Sequence, residues 1–244
     1  MTKVESSTIY RKISYPGSRK GQEEMFEHGH IVTQPVFFLF IAFSCILTIG
    51  YFWGRRQNKR VFLSAFNDLV DVVKPDDQTF TNIGGVVGYH ANLFIKKRGP
   101  ISQIDATITL LPRHSWLYMP ISKLIMKYDR LFITLYLRHR PPAEAHLIEA
   151  KYASFRGPKI TNVHRFDREE ITWGAYDFYL YYERAEMHDH FMKFIDNNPD
   201  PGLVRHIAIV PGQRKGFIFM IPQKGQVKKD LAPIYQWIPS VIEE

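Results

Sequence analysis

The sequence predicts an α+β protein: one N-terminal transmembrane helix, followed by a cytosolic part of mainly antiparallel strands covered by helices. Three observations predict it. Residues 35–53 carry no acidic or basic side chain. The stretch that follows repeats its apolar residues at helical spacing. From Gln78 onward apolar and polar residues alternate, in short runs separated by glycine and proline.

Residues 1–34 mix serine, glycine, proline and charged residues without apolar periodicity and read as a flexible extracytoplasmic tail. Glu27, His28 and His30 lie in it, and an isolated pair of histidines in such a tail is not a metal site. Residues 35–53 read as the transmembrane helix. As a helix, 19 residues reach roughly 28 Å, close to the thickness of a bilayer core. The anchor residues are Val36, Phe40, Phe43 and Leu47, with Tyr51 and Trp53 at the end, where amphipathic rings favour the headgroup level. The run starts too late, is too long and leads into Gly-Arg-Arg, so a cleaved signal peptide fits it poorly. No Lys or Arg occurs between Gly21 and Gln34, whereas Arg55, Arg56, Lys59 and Arg60 follow Trp53 directly. That bias puts the N-terminus outside and the C-terminal domain in the cytoplasm.

Residues 54–75 form a basic juxtamembrane segment and an amphipathic helix. Phe62, Ala65, Phe66, Leu69, Val70 and Val73 share one face, and Lys74-Pro75 ends the helix, which continues the membrane helix with little break. Residues 76–244 are the globular region. Strands are expected at 79–83, 91–96, 101–110 and 129–138, with Gly84-Gly85-Val-Val-Gly88 as a bend and a short helix within 112–126. After Pro141-Pro142, residues 145–151 are expected to pair back onto 129–138 as a hairpin. Residues 160–166 read as an edge strand, 176–183 as an aromatic strand and 185–197 as a helix. Residues 204–210 and 217–221 read as short buried strands, and 227–242 as a closing helix kinked at Pro233.

Charge is uneven. The net charge is +8, and 14 basic against 6 acidic residues fall between positions 55 and 140. Such an excess points to a polyanion, either anionic lipid headgroups or nucleic acid. The polyanion-binding candidates are Arg55, Arg56, Lys59 and Arg60, then Lys96, Lys97 and Arg98, then Arg113, Lys123 and Lys127 around Trp116.

No catalytic constellation emerges. The single cysteine, Cys45, lies in the apolar run, so one chain can build neither a disulfide nor a zinc–thiolate site. Phosphate-loop, dinucleotide and nucleophile-elbow spacings are missing. His188 and His190 point to different sides of a helix. Ser115 is only a sequence neighbour of His114, and Glu169, Glu170 and Asp177 have no partner that spacing assigns. The expectation is no catalytic residue, no cofactor, no metal, no small-molecule substrate and no enzyme.

The order of these elements resembles the calumin family, the single-span subunit of the eukaryotic PAT complex in the multipass translocon. The resemblance rests on Asn58-Lys-Arg-Val-Phe-Leu-Ser-Ala-Phe-Asn67 after the span, and on Gly88–Ile95 and Ile108–Leu111 as opening strands. It extends through Trp116–Met126 with Asp129–Leu137, the His190–Asp196 helix, and Arg214–Pro222 with Lys229–Ile234 at the end. It implies a membrane-anchored, chaperone-like accessory factor in membrane-protein insertion, with the bilayer, translocon or insertase subunits and ribosomal RNA as partners. Calumin-like proteins carry a signal peptide, an acidic lumenal region and a long basic C-terminal coiled coil associated with ribosome contact. Here the outer tail is short and mixed in charge, and these 244 residues show no such coiled coil. The resemblance therefore implies the globular part of such a protein in a prokaryotic or archaeal version. Two alternatives remain open: a membrane-tethered scaffold or adaptor for an unrelated partner, and an enzyme acting on membrane lipids.

The charge bias sets a first test. Protease added to sealed right-side-out membranes is expected to leave the C-terminal domain intact, and digestion of that domain would reverse the orientation.

Overall fold

The computed structural model describes residues 34–96, 99–154 and 157–242. Almost all of the N-terminal tail therefore lies outside the described residues. Among those described, one helix is long and apolar enough to cross a membrane, and it lies near the N-terminal end. This helix, α1, runs from Pro35 to Val73 without interruption. The chain divides into two compact units at Thr48/Ile49, inside α1. Of the described residues before that point, most are exposed, the reverse of what the core helix of a soluble protein shows.

From Ile49 onward the unit is α+β. Nine strands form one sheet among the described residues, in the order β1-β2-β3-β4-β9-β8-β5-β7-β6. They are β1 (Asp77–Asn82), β2 (Gly88–Phe94), β3 (Ile101–Thr109), β4 (Arg130–Leu137), β5 (Ala145–Glu149), β6 (Asp167–Trp173), β7 (Tyr176–Tyr182), β8 (Val204–Val210) and β9 (Lys215–Met220). Every neighbouring pair is antiparallel.

One face of the sheet is closed by helices. The second half of α1 contributes Ala65, Phe66, Leu69 and Val73 to the core. Phe62 stacks on Tyr89 and Phe66 on Phe80. The helix Ala185–Asn197 (α4) buries Met187, Phe191, Phe194 and Ile195. The closing helix Val227–Ile242 (α5) buries Leu231, Ile234 and Ile238, and contains Pro233 and Pro239. Phe191 and Phe194 both pack on Trp237, at 4.9 and 4.8 Å. The amphipathic spacing of each helix thus becomes one shared core. On the other face, β2–β4 carry polar side chains. His90 bonds Thr107 at 2.8 Å, and the Tyr136 hydroxyl donates to Asp105 at 2.7 Å. A five-residue helix, α3 (Ala150–Ser154), lies on that side, where Tyr152, Ile148 and Phe219 form a small second cluster.

Two expectations are corrected. Residues 145–149 do not pair with β4; β9 does, and β5 lies between β7 and β8. All five β5 residues are buried, so the strand needs a neighbour on each side. Pro141 and Pro142 cannot donate ladder hydrogen bonds beside β4. Residues 160–166 are not an edge strand. Asn162 is left-handed, with φ of 58°, and leads into a 3₁₀ turn at Val163–Arg165, so the edge passes to β6. The two-residue turn Gly174-Ala175 then joins β6 to β7, with Gly174 supplying the positive φ at its first position.

The helix Met119–Met126 (α2) leads into β4, and a buried polar network fixes the chain before it to α1. Asn58, fully buried, donates to the carbonyls of Val86 and Leu111 at 3.2 and 2.9 Å. Its Oδ1 accepts from Arg113 at 3.0 Å. Arg113 grips Asp129 with two bonds, of 2.9 and 2.7 Å, and Asp129 also accepts from the Leu111 N–H at 2.8 Å. Asn58→Ala would strand two carbonyls and part of a guanidinium, each a buried polar group losing about 1–3 kcal/mol. The variant is expected to lose about 3 kcal/mol of stability. Arg56→Ala, at an exposed site on the same helix, is expected to lose little, and thermal unfolding in detergent compares the two.

Candidate functional site

α1 presents two different sides just after its apolar run. Gly50, Gly54 and Asn58, four residues apart, line one side, and all three are buried. The segment 111–116 lies directly against them. A Cβ on Gly54 would run into the Arg113 carbonyl, and one on Gly50 would come within 2.6 Å of the Trp116 ring. Glycine is needed here because backbone and indole approach the helix where any side chain would stand. Trp53 meets Trp116 edge to face at 6.4 Å, and Tyr51 meets His114 at 5.8 Å. Arg55, Arg56, Lys59 and Arg60 lie on the remaining sides of the helix, and all four are exposed.

The anchor residues Val36, Phe40 and Phe43 are exposed and Leu47 is half-buried, while Tyr51 and Trp53 stay exposed although they touch the 111–116 segment. The other basic candidates are placed differently. Lys96 is exposed, but its backbone N–H donates to Asp76 at 2.8 Å. Asp76 follows the far end of α1, which at 1.5 Å per residue lies roughly 25 Å along the helix from Asn58. Lys97 and Arg98 lie outside the described residues. Arg113 is committed to Asp129 and Asn58, so its charge is balanced inside the fold. Lys123 and Lys127 are exposed on α2 and just beyond it. Among the described residues the exposed basic candidates therefore divide into a helix cluster, an α2 pair and the distant Lys96, not one continuous surface.

The open face of the sheet holds a second feature. A cleft of about 340 Å³ is lined by His146, His206, Tyr152, Phe132, Phe217 and Lys159, among others. The two imidazoles come from β5 and β8 and stack at 5.7 Å between centroids. His146 Nε2 bonds Glu144 at 3.0 Å, whereas His146 Nδ1 and His206 Nε2 have no hydrogen-bond partner. Burial pushes His206 down to about 3, helped by the nearby His146, and burial likewise lowers His146 against the pull of Glu144. Both rings are neutral at physiological pH, so the cleft offers uncharged imidazoles on an aromatic wall. Next to it, Glu149 is raised by burial although Arg205 lies 3.5 Å away.

His188 is tied to Asp189 at 3.0 Å and to Glu169 at 2.8 Å, which raise its pKa against the opposing effect of burial. Among the described residues no group of three or more His, Cys, Asp or Glu is placed to hold a metal ion. His28 and His30 lie outside the described residues.

Sequence reasoning missed Gly50, Gly54 and Asn58, whose four-residue spacing is a readable signal. It also missed the His146–His206 pair, for which no linear signal exists, because only sheet pairing brings β5 beside β8. Neither the protein-family models nor the curated proteins yield a match to this chain.

The cleft makes stability depend on pH. The folded pKa of His206, about 3, lies below its ordinary 6.5, so the unfolded chain takes up the proton first as pH falls. The stability contributed by the neutral ring is complete above pH 6.5. It is lost toward pH 3 at up to about 1.4 kcal/mol per pH unit. Tm is expected to fall as pH drops from 6.5 to 4, and to fall less in His206→Phe. Equal slopes in the two proteins would refute the assignment.

Proposed function

We propose that this chain is a membrane-anchored, non-enzymatic accessory factor in membrane-protein insertion. Its sheet domain would lie on the cytoplasmic side, contacting translocon or insertase subunits, the ribosome, or the lipid surface. One observation carries the reading: the apolar segment passes without a linker into the helix that seals the sheet domain's core, and Arg55, Arg56, Lys59 and Arg60 stand exposed where it does so. A domain built on the end of a span suits work at a membrane surface, and an exposed basic cluster suits a polyanion such as ribosomal RNA. The resemblance of the element order to the calumin family supports the choice of the insertion machinery.

A second reading, an enzyme acting on membrane lipids, is favoured by the cleft with its two neutral imidazoles. It ranks second because neither imidazole hydrogen-bonds a side-chain hydroxyl or thiol that would serve as nucleophile.

The test uses the full chain in nanodiscs of neutral lipid. Co-sedimentation with ribosomes is expected at low salt and should weaken steeply as salt rises. Replacing Arg55, Arg56, Lys59 and Arg60 together with Gln should weaken it about tenfold or more, at up to about 1 kcal/mol per charge. Affinity purification from native membranes should recover translocon or insertase subunits. If the wild type neither sediments with ribosomes at low salt nor recovers those subunits, a tethered adaptor for an unrelated protein becomes the better account.

A further inference from the structure

Outside the apolar half of α1, the exposed large hydrophobic residues concentrate in one short stretch. Trp116, Leu117, Tyr118, Ile121, Leu124 and Ile125 are all exposed, Leu124 at 79% and Leu117 at 68%. They belong to α2 and the turn that leads into it. At about 100° per residue, Leu117, Ile121, Leu124 and Ile125 share an arc about 100° wide. The opposite side of α2 faces the domain: Ser122 is fully buried there, and Met119 and Met126 are half-buried. Lys127 follows the helix directly, and Lys123 lies about 100° beyond the edge of the apolar arc. Residues 112–127 contain no Asp or Glu. A short helix that turns its polar residue inward and its leucines outward has the polarity of an element covered by something apolar.

The position of the stretch identifies the cover. Trp116, at its start, rests against Gly50 and meets Trp53 edge to face, and His114 meets Tyr51. Tyr51 and Trp53 close the apolar run, and Arg55 and Arg56 follow them. The turn into α2 is thus docked on the part of α1 where a span leaves hydrocarbon for headgroups, the level at which aromatic rings settle. An amphipathic helix at that level, apolar on one side and with exposed lysines off that side, is placed to lie in the membrane interface. Eight residues would bind a bilayer poorly alone, but α2 is joined to a span, and tethering makes the contact intramolecular.

We propose that α2 is a second membrane contact, with Leu117, Ile121, Leu124 and Ile125 seated in the headgroup–acyl boundary of the leaflet that the span leaves. The proposal rests on reading residues 35–53 as a span, not on a role in protein insertion.

Site-directed nitroxide labelling of the full chain in nanodiscs containing anionic lipid tests it, and the native Cys45 serves as the internal standard for the span. In a Cys45→Ser background, Leu117→Cys, Ile121→Cys and Leu124→Cys are labelled one at a time, with Ala175→Cys in the β6–β7 turn as the aqueous reference. The labels at 117, 121 and 124 are expected to show an oxygen-to-nickel accessibility ratio several-fold above that at 175, approaching that at Cys45. If Cys45 reports lipid while 117, 121 and 124 report water, the proposal fails and the span stands. If Cys45 itself reports water, the span reading fails and takes the proposal with it. Labels shielded from both oxygen and nickel would mean that protein covers the patch, and spin–spin broadening at 124 would identify that cover as a second copy; either result overturns the proposal. A second variant guards against a local effect of the label. Ile121→Gln with Leu124→Gln is expected to move the label at 117 toward the aqueous value, and an unchanged lipid-like ratio there would leave α2 without its assigned role.

Discussion

A fully buried asparagine in the middle of a long helix is the constraint on which the membrane-proximal end depends. Asn58 is sealed from bulk solvent, so its amide depends on partners from elsewhere in the chain. They do: the carbonyls of Val86 and Leu111, and the guanidinium of Arg113. Those bonds bring the β1–β2 turn and the exit from β3 onto one side of α1. Gly54 and Gly50 then let the following segment lie flat against the helix. The Arg113–Asp129 pair extends the network to the start of β4. Breaking one member of such a set exposes the others to the full cost of burial without a partner, so the set behaves as one unit.

Further along, the same helix changes role. Beyond Asn58 its buried side turns apolar and presents Ala65, Phe66, Leu69 and Val73 to the sheet. Its C-terminal end is tied to the start of α5, where Gly225 donates to Ser64 and the Lys228 N–H to Asp68. One element therefore combines an apolar segment, a polar clasp and a core-forming face. Exchange of sides along its length is legible only when the three parts are read as one helix.

Much of this was readable from residue order. The periodicity of α1, α4 and α5 survives because each buries one stripe against a single sheet face, the condition under which a 3.6-residue repeat carries information. Strands β3 and β4 alternate cleanly because one side meets helices and the other meets solvent. Strands β5 and β8 are buried on both sides, and for such strands period 2 says nothing about which neighbour they take. The false hairpin between β4 and β5 came from that silence. The basic residues show a parallel limit. Composition counted Arg113 with the others, but a charge held between Asp129 and Asn58 differs from one facing solvent, and only the fold separates them. The histidine cleft was out of reach because its two rings meet through the pairing of strands distant in the chain.

The strand order also bears on how the domain is made. Strands β4 and β5 follow each other in sequence, yet β9 and β8 stand between them. Until residues 204–220 are available, the sheet exists as two halves, β1–β4 on one side and β5, β7 and β6 on the other, each with a bare edge. The last hairpin is the piece that joins them. During synthesis the β4 edge therefore stays open from residue 137 onward, and closure of the sheet waits on residues 204–220. A chain cut between β7 and β8 is left with unpaired ladders on both halves, the kind of edge that invites pairing with another chain.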